Sequence, residues 1–119
     1  MVTFTPGHMG TLVVLANGVV KVPHIGARAV SAYVALSAGE KSRVFHVRGS
    51  VDGPRVEELP AATTLDIQHF QTQIQRDLEP VLTEARVEAP GAHIEVSRPE
   101  WICVFVRKHL KEREGIDVE

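Results

Sequence analysis

Leu12-Val13-Val14-Leu15-Ala16-Asn17-Gly18-Val19-Val20-Lys21-Val22 decides how the rest of the chain is read. Two β-branched runs flank Asn17-Gly18, the dipeptide best suited to the positive φ angles of a type I′ turn. The stretch therefore reads as a hairpin reversing at those two residues. In that register Val13, Leu15, Val20 and Val22 share one face, and Val14, Ala16, Val19 and Lys21 share the other. Both faces are largely apolar, so the hairpin requires cover on both sides.

Beyond it, Pro23 closes the second run, and His24 to Ala38 reads as a helix ended by Gly39. Its polar residues make a narrow stripe through His24, Arg28 and Ser31, and nearly everything else is aliphatic or Tyr33. A helix with so thin a wet face is buried or packs on another subunit. The surface bearing His24, Ile25, Arg28, Ala29, Ala32, Tyr33 and Leu36 is accordingly the expected interface of a homo-oligomer. Ser42 to Arg48 alternates as a strand. Asp52-Gly53-Pro54 turns the chain into a second strand, Arg55 to Leu59, with Arg48 expected opposite Glu57.

Thr63-Thr64 opens an amphipathic helix whose apolar stripe is Leu65, Phe70, Ile74, Leu78, Val81 and Leu82. Pro80 predicts a kink near Arg76 to Glu79 or a second short helix, and Ala89-Pro90-Gly91 ends the segment. His93 to Ser97 reads as a half-wet strand. Trp101 to Val106, apolar on both faces, reads as a central strand that buries Cys103. Residues 107–119 read as a charged, solvated, partly helical extension in which only Leu110 suits the core.

The resulting order, ββαββαββ, is an α+β pattern of one antiparallel sheet with two helices. Without its outer strands it becomes βαββαβ, the split arrangement of ferredoxin-like folds, with both helices on one face of the sheet. The 119 residues suit a single domain, 1–119, with a radius of gyration of about 13–14 Å.

Composition narrows the function classes. Thirteen Lys and Arg against fifteen Asp and Glu give a net charge of −2, without the global positive charge that drives phosphate-backbone binding, so a nucleic-acid partner is not expected. The basic cluster Arg107-Lys108-His109 with Lys111 and Arg113 is interleaved with Glu112 and Glu114, and reads as a solvated surface. The longest apolar run, Trp101 to Val106, is far short of the roughly 20 residues of a membrane helix. Residues 1–8 show no cationic segment leading into an apolar one, so the expected location is cytoplasmic, or the virion if the source is viral. A lone cysteine allows neither an intrachain disulfide nor a cysteine zinc cluster.

Phosphate-cradling glycine patterns and the esterase elbow are missing, and His8, His24, His46, His69, His93 and His109 form no metal-ligand spacing, so neither a cofactor nor a metal is expected. The first functional expectation is a non-enzymatic association domain: a homo-oligomeric assembly or adaptor subunit, in a regulatory complex or a viral or phage particle. The rival is a small enzyme or ligand-binding domain with a site at a subunit boundary built from His46, Glu57, His93 and Glu95.

Overall fold

The computed structural model describes residues 10–38, 41–61 and 63–118. Its elements are β1 (Thr11–Val22), β2 (Gly26–Ala38), β3 (Lys41–Ser50), β4 (Arg55–Glu58), α1 (Ile67–Glu88), β5 (Glu95–Ser97), a 3₁₀ turn (Glu100–Ile102) and α2 (Cys103–Glu114). The strands form one antiparallel sheet in the order β4-β3-β2-β1-β5. The α+β class, the single antiparallel sheet and the number of helices agree with the sequence reading, but only α1 lies where a helix was expected. The strand order and the ferredoxin-like core do not agree with it.

The first correction concerns Asn17-Gly18. Neither residue has a positive φ, and both lie within β1, paired with Ala32 and Ser31 of β2. The chain reverses later, at Pro23 to Ile25. There His24 and Gly26 take φ values of 68° and 113°, and the Ile25 N–H donates to the Val22 carbonyl at 3.1 Å. Glycine at position 18 answers a packing requirement instead. A Cβ there would lie 2.8 Å from Leu78 Cδ1 and 3.0 Å from both Ile74 Cγ2 and Val96 Cγ1. Asn17 donates its side-chain amide to the Pro99 carbonyl, which ties β1 to the chain entering the 3₁₀ turn.

The second correction is that His24 to Ala38 contains no helix. It supplies β2, the middle strand of the sheet, paired on both sides. Ala29, Ser31, Tyr33 and Ala35 face one way, while Val30, Ala32, Val34 and Leu36 face the other, and all eight are buried. An apolar run of this kind fits a buried strand or a buried helix equally by periodicity. Pairing with β1 and β3, added to cover on both faces, overrides the helical preference of its alanines. Gly39, the expected helix terminator, lies outside the described residues, as does the N-terminal segment with His8.

The third correction concerns Trp101 to Val106, where α2 replaces the expected central strand. Ile102, Val106 and Leu110 recur at helical spacing and are each fully buried. Cys103 is only partly buried, at the start of α2. The segment expected as a solvated extension docks through Leu110 and Val118, and Gly115 caps α2 with a φ of 67°.

The helices lie on opposite faces of the sheet. Phe70, Ile74, Leu78 and Ala85 of α1 pack with Ala16, Val20, Ala29 and Tyr33. Ile102, Val106 and Leu110 pack with Val19, Val34, Phe45 and Val47 on the other face. This explains why β1 is apolar on both sides. Asp66 caps α1 by accepting the His69 N–H at 3.2 Å, two residues beyond the expected Thr63-Thr64, and Pro80 lies within one continuous helix. In the β3–β4 register His46 faces Glu57, and Arg48 faces Arg55 in place of Glu57.

A β-bulge interrupts β1: Val14 pairs with Val34 and Ala16 with Tyr33, leaving Leu15 as the extra residue. The bulge shifts the alternation by one, so Leu12 and Val14 point to the α2 side and Leu15 and Ala16 both point to the α1 side. Long strands make the molecule elongated, 53 × 26 × 17 Å, with a radius of gyration of 15.6 Å, above the expected range.

Candidate functional site

Beneath α1, the inward face of the sheet carries a small set of polar groups among aliphatic ones. Ser31 on β2 is fully buried and lies between Gly18 of β1 and Arg48 of β3 in the pairing register. Tyr33, two residues on, points to the same side and stacks between two rings. Its centroid lies 4.3 Å from His46, with the planes 1° apart, and 4.2 Å from Phe70 of α1, at 15°. Asp77 comes down from α1, one residue before the buried Leu78.

Three of these groups meet at one carboxylate oxygen. The Ser31 hydroxyl donates to Asp77 Oδ2 at 2.8 Å, His46 Nε2 lies 3.3 Å from the same oxygen, and Ser31 Oγ and His46 Nε2 are also 3.3 Å apart. Arg48 Nη1 approaches Asp77 Oδ1 at 3.8 Å. With the serine hydroxyl donating to Asp77, Nε2 of His46 carries the hydrogen that points at the carboxylate, a tautomer assigned from the bonding network. Burial pushes the His46 pKa below its ordinary value and Arg48 adds to that effect, against the opposing charges of Asp77 and Glu57. Burial and the Asp77 charge push the Tyr33 phenol up.

A hydrolytic triad needs a histidine that takes the serine proton on one nitrogen while a carboxylate holds the other. Here a single nitrogen faces both partners, and the carboxylate accepts the hydroxyl hydrogen bond directly. Ser31 has no exposed surface through which a substrate carbonyl could reach it. The group is built as a clasp that fixes α1 to β2 and β3.

Beside the clasp, an open groove of about 370 Å³ has Arg28 and Arg48 on its sheet side and Asp77, Glu84 and Glu88 on its helix side. Arg28 Nη2 reaches Glu88 Oε1 at 2.6 Å across it. On the other side of the sheet's outer strands, Arg43 bonds Glu58 of β4 at 2.8 Å and Glu114 of α2 at 2.7 Å, and the Arg43 bonds hold the Glu58 carboxyl below its usual range. Among the described residues, no group of three or more His, Cys, Asp and Glu is placed to hold a metal ion.

The sequence-derived residues divide into separate places. His46 and Glu57 are direct cross-strand partners, whereas His93 and Glu95 contact each other at 3.4 Å, exposed, at the β5 edge. Two strands, β2 and β1, stand between the pairs. Of the expected interface, Ala29, Ala32, Tyr33 and Leu36 are buried within the chain. Arg28 lines the groove, and His24 and Ile25 stand at the β1–β2 reversal. There is no helical surface at these positions for a second subunit to cover. Ser31 and Asp77 were not singled out as site residues in the sequence. The signal for Asp77 is a charge within the apolar stripe of α1, seven residues after Phe70.

Compared with models of known protein families, with curated proteins and with solved structures, the chain matches none. No described helix is long and apolar enough to cross a membrane.

Proposed function

We propose that the chain is a non-enzymatic association subunit that works by taking an extended strand onto the free edge of its sheet. One observation carries this reading: β5 pairs with β1 only at Val19 to Lys21, so the outer edge of Thr11 to Asn17 has no strand beside it among the described residues. Unpaired edges are usually blunted by charge or proline, or by being short. β4, at the opposite end of the sheet, is blunted: it has four residues, and Arg55, Glu57 and Glu58 are three of them. Thr11 to Asn17 carries no charge and no proline. An edge of this kind offers main-chain hydrogen bonds for affinity and alternating side chains for selectivity.

The clasp fits the same reading, because its polar groups satisfy one another and stiffen the sheet that presents the edge. The test is amide hydrogen exchange, followed residue by residue, with a capped heptapeptide of alternating Thr and Val as the probe. In the dilute chain the outward-facing amides of Thr11 to Leu15 exchange quickly, and millimolar peptide slows them. Amides already protected in the dilute chain, or indifferent to the peptide, would defeat the proposal.

A further inference from the structure

We infer that the partner at this edge is a second copy of the chain, paired antiparallel through Thr11 to Leu15 about a two-fold axis at Val13; this rests on the strand-accepting reading above. Val13 is 45% exposed, although its strand neighbours Leu12 and Val14 pack into the core. Ahead of the bulge, Thr11, Val13 and Leu15 face the α1 side and Leu12 and Val14 the α2 side. A two-fold axis perpendicular to the sheet keeps each side on its own side.

Placing Val13 opposite Val13 of the partner subunit sets Leu12 opposite Val14 of the partner subunit, and Thr11 opposite Leu15 of the partner subunit. Every pair then shares a face, and no charge meets a like charge. One register later the bulge would break this match, since Leu15 and Ala16 point the same way. The other edges cannot offer the same self-match. β4 has four residues, of which Arg55, Glu57 and Glu58 are charged, and β5 is three residues long with Glu95 among them. Five paired residues span roughly 17 Å at about 3.4 Å per residue, so the contact sits at the small end of specific interfaces and the dimer should exchange with monomer at micromolar concentration.

The test uses the full chain with Cys103→Ala as background. Directly opposed residues place their Cβ atoms about 4.5–5.5 Å apart, near the reach of a disulfide. Val13→Cys should therefore form a covalent dimer under mild oxidation at least tenfold faster than Ile25→Cys, which is 57% exposed at the β1–β2 reversal, away from the edge. In sedimentation velocity the unmodified chain should populate a dimer at micromolar concentration, and Val13→Lys should remain monomeric. A dimer that survives Val13→Lys, or equal cross-linking at positions 13 and 25, overturns the inference. If the chain is monomeric, the peptide experiment separates the two failures. Amides of Thr11 to Leu15 that the peptide protects would retain the strand-accepting edge and remove only the second copy; unprotected amides would remove both.

Discussion

Replacing Gly18 separates two explanations of the same glycine, one local and one tertiary. A turn at Asn17-Gly18 would need a left-handed residue, which asparagine tolerates and alanine does not. Packing beneath α1 needs the absence of a side chain, so the cost should grow with size. For Gly18→Ala, the added Cβ meets Leu78, Ile74 and Val96 at 2.8–3.0 Å. The Ile74 contact is a γ-methyl on a branched, buried side chain, so no simple rotation relieves it. Overpacking of this kind costs about 1–3 kcal/mol, and alanine regains roughly 0.5–1 kcal/mol over glycine in strand entropy, leaving a net loss of about 0.5–2 kcal/mol. Gly18→Asn adds bulk and an amide with no partner among aliphatic groups, worth about 1–3 kcal/mol more. Urea unfolding at pH 7, with unchanged denaturant dependence, should rank the chains glycine, alanine, asparagine from most to least stable. An asparagine variant as stable as the parent, or more stable than the alanine variant, would refute the packing explanation.

The remaining predictions concern the clasp. Burial favours neutral His46, so its folded-state pKa lies below the ordinary 6.5 of the unfolded chain; its stabilisation is complete above that value and declines as pH falls through it. The urea midpoint of the parent should therefore drop from pH 7 to pH 5 by more than that of His46→Gln, and a pH-independent difference would count against the assignment. Asp77→Ala leaves the buried Ser31 hydroxyl and the His46 N–H without their acceptor, and should cost about 2–3 kcal/mol. Adding Ser31→Ala to Asp77→Ala should cost much less than Ser31→Ala alone. Additive losses in that double-mutant cycle would show that the groups are not coupled.

Much of the scaffold was legible in the chain. The Phe70, Ile74, Leu78 spacing marks α1, the alternation after Ser42 marks β3, and the two-faced apolarity of Leu12 to Val22 demands cover on both sides. The pattern is ambiguous where two structures share it. Ala29 to Leu36 satisfies a buried helix and a buried strand alike, and only neighbours on both edges decide between them. Trp101 to Val106 looks like a central strand until Leu110 is taken with Ile102 and Val106 as one helical row. Asn17-Gly18 has strong turn chemistry, but Leu78 and Ile74, distant in sequence, determine why the glycine is there. The clasp is hidden for the same reason. Ser31, Tyr33 and His46 share a face only once β2 is a strand next to β3.

The position of β5 has a consequence for the order of assembly. β1 to β4 are neighbours both along the chain and in the sheet, so their pairings close short loops and can form early. β5 must return past all of them and α1 to reach the far side of β1. Until it arrives, the whole outer edge of β1, Thr11 to Val22, lies open, and the Val19, Val30 and Phe45 side of the sheet lacks α2. A nascent chain at that stage presents a longer adhesive edge than the finished molecule, so crowding with its own copies is most hazardous before residues 93–118 have docked. Pairing of the short β5 with Val19 to Lys21 shortens that open edge to the stretch ahead of Gly18.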